Sequence, residues 1–495
     1  MKKHNKILKF FFLSISVLAL NSSCNDDEFL DKKRLGVASE GDLTAGGFEE
    51  KAFGLYGALR TKDGVSDLSR YWFQSIRSDD ATKGSTASDL ATQGNALDGY
   101  QYDAGLDWFV VNNWNGKYSV IYLCNDLISS VNDSGLTDSG TLTNKAEAMA
   151  IRAFCYFELR RDYGEIPIVT NKVVAPADAI KPKSTVAQVD AQIISDLTYA
   201  KDHLPLSWPA YPGRCTKGFA QALLGKLYLY QQNWSLASNE LSQVLGYGYS
   251  LYPSYSGLFL QEGDNSPESV FEIQFLRLGG VNYSNNYWES QGVRGSGTWD
   301  LGWGFNVPTQ GLVDAYEAGD PRKEATILFS GQQDGYGNVL PTSPSPLVQP
   351  YWNKKAYTKP SERQQYGENK NHWANIKIMR YADVLLMYAE ALNELGQSAT
   401  AVDYVNMVRA RARGGNNSVL PNIVASSQST VRNAIKNERR IEFAMEGERF
   451  YDLVRWGDAQ SVLGGLGYQP KNEYYPLPTS AIDQSGGVLV QNPNY

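Results

Sequence analysis

The sequence predicts a mainly α-helical protein, an α-superhelix of about four tetratricopeptide-like helix pairs with a large, loop-rich insertion. Two segments, which begin at Gly218 and Ala382, place small and apolar residues in the same register over two consecutive helices. Small residues at the helix crossings let antiparallel helices approach closely, and each pair must then stack on its neighbours. Two further pairs are expected around residues 115–162 and 186–203. Roughly 130 residues with little helical periodicity separate the two clear pairs and predict the insertion.

Composition narrows the possible functions. The 495 residues carry a net charge of −7, which argues against a nucleic-acid partner, because such a partner requires a basic face. The chain has three histidines, one of them in the N-terminal leader, so a histidine-based catalytic triad or a multi-histidine zinc site is not expected. It also has 31 tyrosines and 11 tryptophans, many outside helical patterns, so some rings are expected outside the core. No cofactor is predicted, and the possibility of structural calcium is left open.

The N-terminus has the pattern of a lipoprotein leader. Lysines precede an apolar run over residues 7–20, which is too short to span a bilayer and predicts a signal peptide over residues 1–23. Small residues lead into Cys24, which is the expected acylated first residue of the mature chain. The acidic run after it predicts a solvated, lipidated tether over residues 24–45. The alternative is an ordinary secretory leader with a chance cysteine.

Three cysteines remain after Cys24, and an odd number cannot all pair within one chain. Cys124 and Cys155 lie in apolar helical patterns, which favours buried thiols. No spacing typical of a metal site surrounds them.

Two stretches outside the helical patterns are candidates for a ligand site. Residues 79–105 are polar and glycine-rich and predict a long loop, and long loops in compact proteins are usually functional or mobile. Residues 279–308 place tyrosines and tryptophans among glycine, serine and asparagine. Such rings suit carbohydrate, because a sugar has an apolar CH face that stacks on them and hydroxyls that need fixed hydrogen-bond partners. The alternative is that the rings fill space beneath long loops.

The stretch over residues 437–458 mixes many charges with apolar residues at helical spacing. Like charges four residues apart disfavour an isolated helix, so its arginines are expected to bind carboxylates on their own or neighbouring helices. The arginines concerned are Arg439, Arg440, Arg449 and Arg455. The favoured interpretation is a structural ion-pair network.

The same stretch, ERRIEFAMEGERFYDLVRWGD, resembles the C-terminal signature of the SusD/RagB family. Further blocks resemble the family at WNGKYSVIYLCNDLI, EAMAIRAFCYFELRRDYGEIPIVT, RYADVLLMYAEA and the tail with its PLP and QNPNY. The resemblance extends from about residue 24 to the last residue, 495. It implies a helical N-terminal part over residues 46–246 and a C-terminal part over 247–495, which holds the insertion and the last helix pair.

The resemblance also implies where a ligand binds. In SusD-like proteins the ligand site is built from the loops before the third helix and from the central insertion, which correspond here to residues 72–108 and 283–303. The expected stacking residues are Trp108, Tyr287, Trp288, Trp299 and Trp303, and Tyr283 is also expected to contact the glycan. The expected hydrogen-bonding residues are Arg77, Asp79, Asp80 and Asn95. Replacing Trp288 or Trp299 by alanine is expected to weaken binding and leave the melting temperature nearly unchanged.

The function implied by the resemblance is binding without chemistry. The protein is expected to be lipid-anchored in the outer membrane, facing the exterior, to bind a glycan and to close it into a SusC-like TonB-dependent transporter. One alternative is a RagB-type protein that binds peptide or glycoprotein. A remoter alternative is a glycoside hydrolase that uses Asp79 or Asp80 with a second carboxylate. Adjacent acids on an extended chain point in opposite directions, so the two together make a poor acid–base pair.

Overall fold

The structure is a computed structural model that describes residues 45–102, 106–278, 281–370 and 372–495. The predicted signal peptide, Cys24 and residues 24–44 of the predicted tether lie outside the described residues. None of the described helices combines the length and the apolarity that crossing a membrane would require.

The described part of the chain is mainly helical. Its α-helices are α1 (Ala45–Thr61), α2 (Leu68–Gln74), α3 (Ala91–Asp98), α4 (Asp107–Ser134), α5 (Ser139–Tyr163), α6 (Pro176–Ala179), α7 (Val186–His203), α8 (Lys217–Tyr230), α9 (Trp234–Val244), α10 (Asn286–Glu289), α11 (Gln310–Ala315), α12 (Arg322–Thr326), α13 (Pro360–Tyr366), α14 (Tyr381–Glu394), α15 (Ser398–Arg413), α16 (Gln428–Glu442), α17 (Arg449–Arg455), α18 (Ala459–Leu463) and α19 (Thr479–Gln484). Its strands are β1 (Ala81–Gly84), β2 (Ser269–Ile273), β3 (Leu276–Leu278), β4 (Val281–Tyr283), β5 (Phe305–Pro308), β6 (Ile327–Phe329), β7 (Tyr351–Asn353) and β8 (Ile376–Arg380).

The long helices stack in chain order, which confirms the predicted α-superhelix. Helix α4 packs on α5, α5 on α7, α7 on α8, α8 on α9, α9 on α14, and α14 on both α15 and α16. The α8–α9 crossing depends on a small residue, because a Cβ added at Gly225 would lie 2.7 Å from Cγ of Leu241. The helix ends follow ordinary capping rules. Asp138, for example, accepts a hydrogen bond from the backbone N–H of Thr141 at 3.0 Å and so starts α5.

The insertion between α9 and α14 is held by short antiparallel strand pairs rather than by a large sheet. Strand β2 pairs with β8, which directly precedes α14. Strand β1 pairs with β5, so the loop after α2 is joined to the insertion at Ala81 opposite Pro308 and Gly84 opposite Phe305. The prediction of one long loop over residues 79–105 was wrong in part. That stretch contains β1 and α3, because Leu97 packs into the core.

A buried network of ion pairs joins α16 to the insertion, which confirms the structural interpretation of residues 437–458. The carboxylate of Glu442 is bound by Arg322 at 3.1 Å, by Arg380 at 2.9 Å and by Arg411. Arg380 also binds Glu268 at 2.6 Å. As the sequence predicts, the arginines of α16 and α17 bind carboxylates. The partners are Asp383 and Asp452 for Arg439, Asp79 and Asp80 for Arg440 and Arg449, and Glu390 and Asp452 for Arg455.

The three cysteines within the described residues, Cys124, Cys155 and Cys215, are buried free thiols, as the sequence predicts for the first two. Burial raises the pKa of Cys155 to about 12. These side chains therefore act as small apolar groups at neutral pH.

Removing Arg380 tests the contribution of the network. Arg380→Ala leaves Glu442 and Glu268 buried with fewer cations, and we expect the free energy of unfolding to fall by about 3–5 kcal/mol. Arg432→Ala is the matched control, since it removes an arginine–glutamate pair from a half-exposed position and should cost less than about 1 kcal/mol. Urea unfolding followed by circular dichroism measures both. Equal losses in the two variants would contradict a special role for the buried network.

The network also predicts how stability depends on pH. Burial raises the pKa of Glu442, but Arg411, Arg380 and Arg322 outweigh it and bring the pKa from 4.5 to about 2. Because the folded pKa is the lower one, this stabilisation is complete above pH 4.5 and is lost as the pH falls towards 2. We expect the free energy of unfolding to decline between pH 4.5 and pH 3, and to decline less steeply in Glu442→Gln. Parallel slopes in the two proteins would show that Glu442 is not a source of the decline.

Candidate ligand-binding site

Arg77 does not face solvent, so the expectation that it binds a ligand was wrong. Its guanidinium is fully buried and lies 3.8 Å from the ring centroid of Phe450 and 4.3 Å from that of Tyr475. One of its nitrogens lies 3.5 Å from a carboxylate oxygen of Asp162. Arg77 is therefore a packing residue between α2 and the C-terminal segment.

Asp79 and Asp80 are held by arginines of the C-terminal stretch rather than being free for a ligand. Arg449 binds both carboxylate oxygens of Asp79 at 2.8 and 2.9 Å, and Arg440 binds Asp80 at 2.6 and 2.8 Å. Burial raises the pKa of Asp79, but the pairing with Arg449 and Arg440 outweighs it and holds the pKa below its usual value. Asp80 is buried, so the expectation that it binds a ligand was wrong, and its burial also disfavours it as the acid of the remoter hydrolase alternative. The ion pairs of Asp79 and Asp80 with Arg449 and Arg440 hold the start of β1 in place.

Tyr287 and Trp288 are core residues, which corrects the expectation that they stack on a ligand. Each is 7% exposed, because the short helix α10 turns both rings inward. The indole N–H of Trp288 donates to the carbonyl of Ala374 at 2.8 Å, and its ring stacks on His372 at 5.0 Å. Burial lowers the pKa of His372 to about 3, so that ring is neutral at ordinary pH.

The other sequence-predicted residues reach the surface. Trp108 is 48% exposed, Tyr283 is 40% exposed and Asn95 is exposed, while Trp299 and Trp303 are half-buried. Tyr283 packs beside the guanidinium of Arg60, which lies 4.9 Å from its ring centroid. The remaining four lie on α3, on the first turn of α4 and on the loop over residues 289–304.

Trp303 is fixed by contacts with both parts of the chain. Its indole N–H donates to the carboxylate of Glu289 at 3.2 Å, and its carbonyl accepts from the hydroxyl of Ser85 at 2.6 Å. The next residue, Gly304, has a φ of +77°, and a Cβ there would lie 2.7 Å from Cβ of Arg294. A glycine is therefore required for the close approach that places Trp303 against the loop over residues 85–90.

A row of rings joins Trp108 to the same region. Trp108 contacts Phe109 at a centroid distance of 4.4 Å, Phe109 stacks on Trp72 at 4.7 Å, and Trp72 meets Phe305 at 5.2 Å. Phe305 begins β5, two residues after Trp303. We call Trp108, Trp299 and Trp303 the aromatic face.

The polar rim beside the aromatic face is made by residues that sequence reasoning missed. One carboxylate oxygen of Asp89 accepts from Ser85 at 2.8 Å and from Thr86 at 2.6 Å, and lies 3.1 Å from Arg294 of the insertion. The serine, threonine and aspartate residues over 85–89 are typical of turns and could have predicted the turn before α3. Nothing in the sequence indicates Arg294, because its partner lies 205 positions earlier in the chain, at Asp89.

Asn95 is an exposed residue of α3, the helix that follows this rim, and Trp299 is flanked by a second ion pair. The preceding residue on α3, Gly94, leaves space for the Lys83 side chain, since a Cβ there would lie 2.0 Å from Cδ of Lys83. Lys83 in turn donates to the carbonyl of Asp89 at 2.8 Å. Asp300, directly after Trp299, pairs with Lys370 at 2.9 Å. The face thus combines exposed ring surface with paired charges, an arrangement suited to binding rather than to acid–base chemistry.

Over the residues that the structure describes, no group of three or more histidine, cysteine, aspartate or glutamate side chains is placed to hold a metal ion.

The burial of Trp288 has a direct consequence for stability. Trp288→Ala removes a buried indole and its hydrogen bond, and we expect the free energy of unfolding to fall by about 3–5 kcal/mol. Trp108→Ala is the matched control and should lower the free energy of unfolding clearly less, because about half of that residue is already in water. Thermal and urea unfolding measure both. A Trp288→Ala protein as stable as the parent would place that ring outside the core.

Comparisons with known proteins agree with this description. A family model described as the SusD family matches residues 267–473, and one described as "Starch-binding associating with outer membrane" matches residues 67–229. SusD-like protein P2 of Formosa agariphila is 30% identical over 443 residues, which cover 82% of this chain and 85% of that relative. Starch-binding protein SusD of Bacteroides thetaiotaomicron is 24% identical over 436 residues, which cover 73% and 74% of the two chains.

Solved structures share the fold. A laminarin-binding SusD-like protein has a TM-score of 0.74 at 28% identity, covering 90% of this chain and 99% of that one. Surface glycan-binding protein A of Bacteroides thetaiotaomicron, solved with laminarihexaose, has a TM-score of 0.73 at 22% identity over 90% and 99% of the two chains, a likeness of fold alone. The family models and the P2 relative together assign the chain, which belongs to the SusD family.

Proposed function

We propose that this protein is a cell-surface lipoprotein that binds a neutral oligosaccharide or polysaccharide on the aromatic face and delivers it to a SusC-like TonB-dependent transporter. The observation that carries the proposal is the exposure of Trp108, which a row of contacting rings connects to Phe305, two residues after the fixed ring of Trp303. The names of two relatives support it, one a starch-binding protein and the other a laminarin-binding one.

The chemistry of the face favours a neutral sugar. The CH face of a sugar ring covers an indole, while its hydroxyls need donors and acceptors held in place. Arg294 pairs with Asp89, and Lys370 pairs with Asp300, so the charges beside the rings offset each other. Apart from Glu289, whose carboxylate accepts from the indole N–H of Trp303, these pairs offer an acidic or basic ligand no excess of opposite charge. Asn95 and the free donors of Arg294 would bind hydroxyls at the rim.

The proposed place of action is the outer membrane. Acylation of Cys24 would hold the protein beside its transporter without a spanning helix. Tethering both proteins to one membrane raises their effective concentration, so modest affinity for the glycan suffices. Because no bond is made or broken, the protein is proposed to act as a binding protein and not as an enzyme.

Isothermal titration against hexasaccharides tests the proposal, with laminarihexaose and maltohexaose as first probes and unrelated peptides as the alternative class. We expect at least one hexasaccharide to bind. We expect Trp303→Ala and Trp108→Ala each to weaken binding about tenfold or more, because each removes a stacking surface. Tyr211→Ala is the control, since it removes an exposed ring outside the aromatic face and should leave the affinity unchanged.

Three results would overturn the proposal. Unchanged affinity in both tryptophan variants would remove the aromatic face as the site. Binding of peptides with no binding of any glycan would favour the RagB-type alternative. Release of shorter sugars during incubation would restore the hydrolase alternative.

A further inference from the structure

A groove of about 560 Å³ lies along α4, and neither Asp89 nor Arg294 of the rim lines it. It is enclosed by the middle of α4, by the segment over residues 167–181 and by the C-terminal segment over residues 480–489. Its volume falls within the range of about 300–1,000 Å³ that is usual for ligand sites. A shallower depression of about 540 Å³ continues it along the same face of α4, towards Lys62.

Three aromatic residues line the groove from one helix. Trp114, Tyr118 and Tyr122 are four residues apart and so lie on one face of α4, at steps of about 6 Å. Trp114 lies beneath Tyr118, at a centroid distance of 4.8 Å. The hydroxyl of Tyr118 donates to the carbonyl of Pro167 at 2.7 Å, which fixes that ring. Tyr122 is 44% exposed and presents its ring to solvent.

The rim of the groove carries neutral hydrogen-bonding groups. Asn115 of α4 and Ser480 and Gln484 of α19 reach it, and their side chains form no hydrogen bonds with the described part of the chain. The hydroxyl of Tyr122 likewise forms no hydrogen bond with the described part of the chain. Lys181 is the one charged side chain among the residues that line the groove. An apolar floor within a neutral polar rim suits an amphipathic, uncharged ligand.

We propose that this groove is a second binding site for a neutral oligosaccharide, in which the ring of Tyr122 stacks on a sugar ring and Asn115, Ser480 and Gln484 bind its hydroxyls. The inference rests on the proposed function, because it gives the same polymer a second point of attachment. An acyl chain would leave the polar rim without partners, and an acidic or basic peptide would meet almost no charge. A sugar can stack its CH face on the aromatic floor and bind the polar rim with its hydroxyls.

The experiment measures the number of hexasaccharides bound per chain in the full-length protein. The probes are laminarihexaose, maltohexaose, cellohexaose, xylohexaose and mannohexaose, used in equilibrium dialysis and isothermal titration. We expect two hexasaccharides of one type per parent chain. Trp303→Ala should retain one, and Trp303→Ala combined with Tyr122→Ala should weaken that remaining site about tenfold or more.

Two matched variants separate ring stacking from other effects. Tyr122→Phe keeps the ring and should retain the second site, whereas Tyr122→Ala should lose it. Tyr211→Ala removes a similarly exposed tyrosine that does not line the groove, and this variant should retain both sites. Equal melting temperatures of the parent and all variants exclude unfolding as the cause.

The outcomes distinguish this inference from the proposed function. One hexasaccharide per parent chain, lost in Trp303→Ala and unaffected by Tyr122→Ala, would overturn the second site and leave the first intact. That result is also the one expected if a protein segment covers the groove. No hexasaccharide bound by the parent would overturn both.

Discussion

The buried carboxylate of Glu442 is the contact on which the arrangement of the chain depends. It ends α16 and is bound by arginines from α12, from the end of β8 and from α15. Taking a charge out of water costs several kcal/mol unless it is paired and hydrogen-bonded, so the three partners must arrive together. An arrangement in which the insertion docked elsewhere would leave charges buried and unpaired. The network thus favours one docking of the insertion on the superhelix over all others.

The same stretch of chain determines the position of the aromatic face. Arg440 precedes Glu442 by two residues and binds Asp80, which stands directly before β1. Strand β1 pairs with β5, and β5 begins two residues after Trp303. The ion pairs of the C-terminal stretch are therefore connected to the proposed binding surface by one short strand pair. Residues that looked like ligand-binding acids in the sequence act instead by positioning the rings.

Sequence patterns predicted the helices and the insertion because both are properties of neighbouring residues. The periodic small and apolar positions of α8, α9, α14 and α15 are local, and so is the lack of period in the insertion. Whether a ring on a loop points into the core or towards solvent is not a local property, because it depends on partners far away in the sequence. Trp288 and Trp303 occur in the same glycine-rich stretch, yet one donates to Ala374 in the core and the other is held half-buried against Ser85. No local pattern distinguishes them.

The spacing of Trp108 and Tyr122 on α4 limits which glycans can bind this protein at both proposed sites at once. Trp108 and Tyr122 are fourteen positions apart on one continuous helix, a distance of about 21 Å along its axis. A short oligosaccharide held at one ring would not reach the other, so each site would fill independently. A polymer long enough to span the distance would bind the second site as an intramolecular event, which raises its apparent affinity without any new contact. Because Trp108 and Tyr122 lie on one continuous helix, their spacing along its axis is set by the helix geometry. The gain in affinity would therefore depend on the length of the glycan.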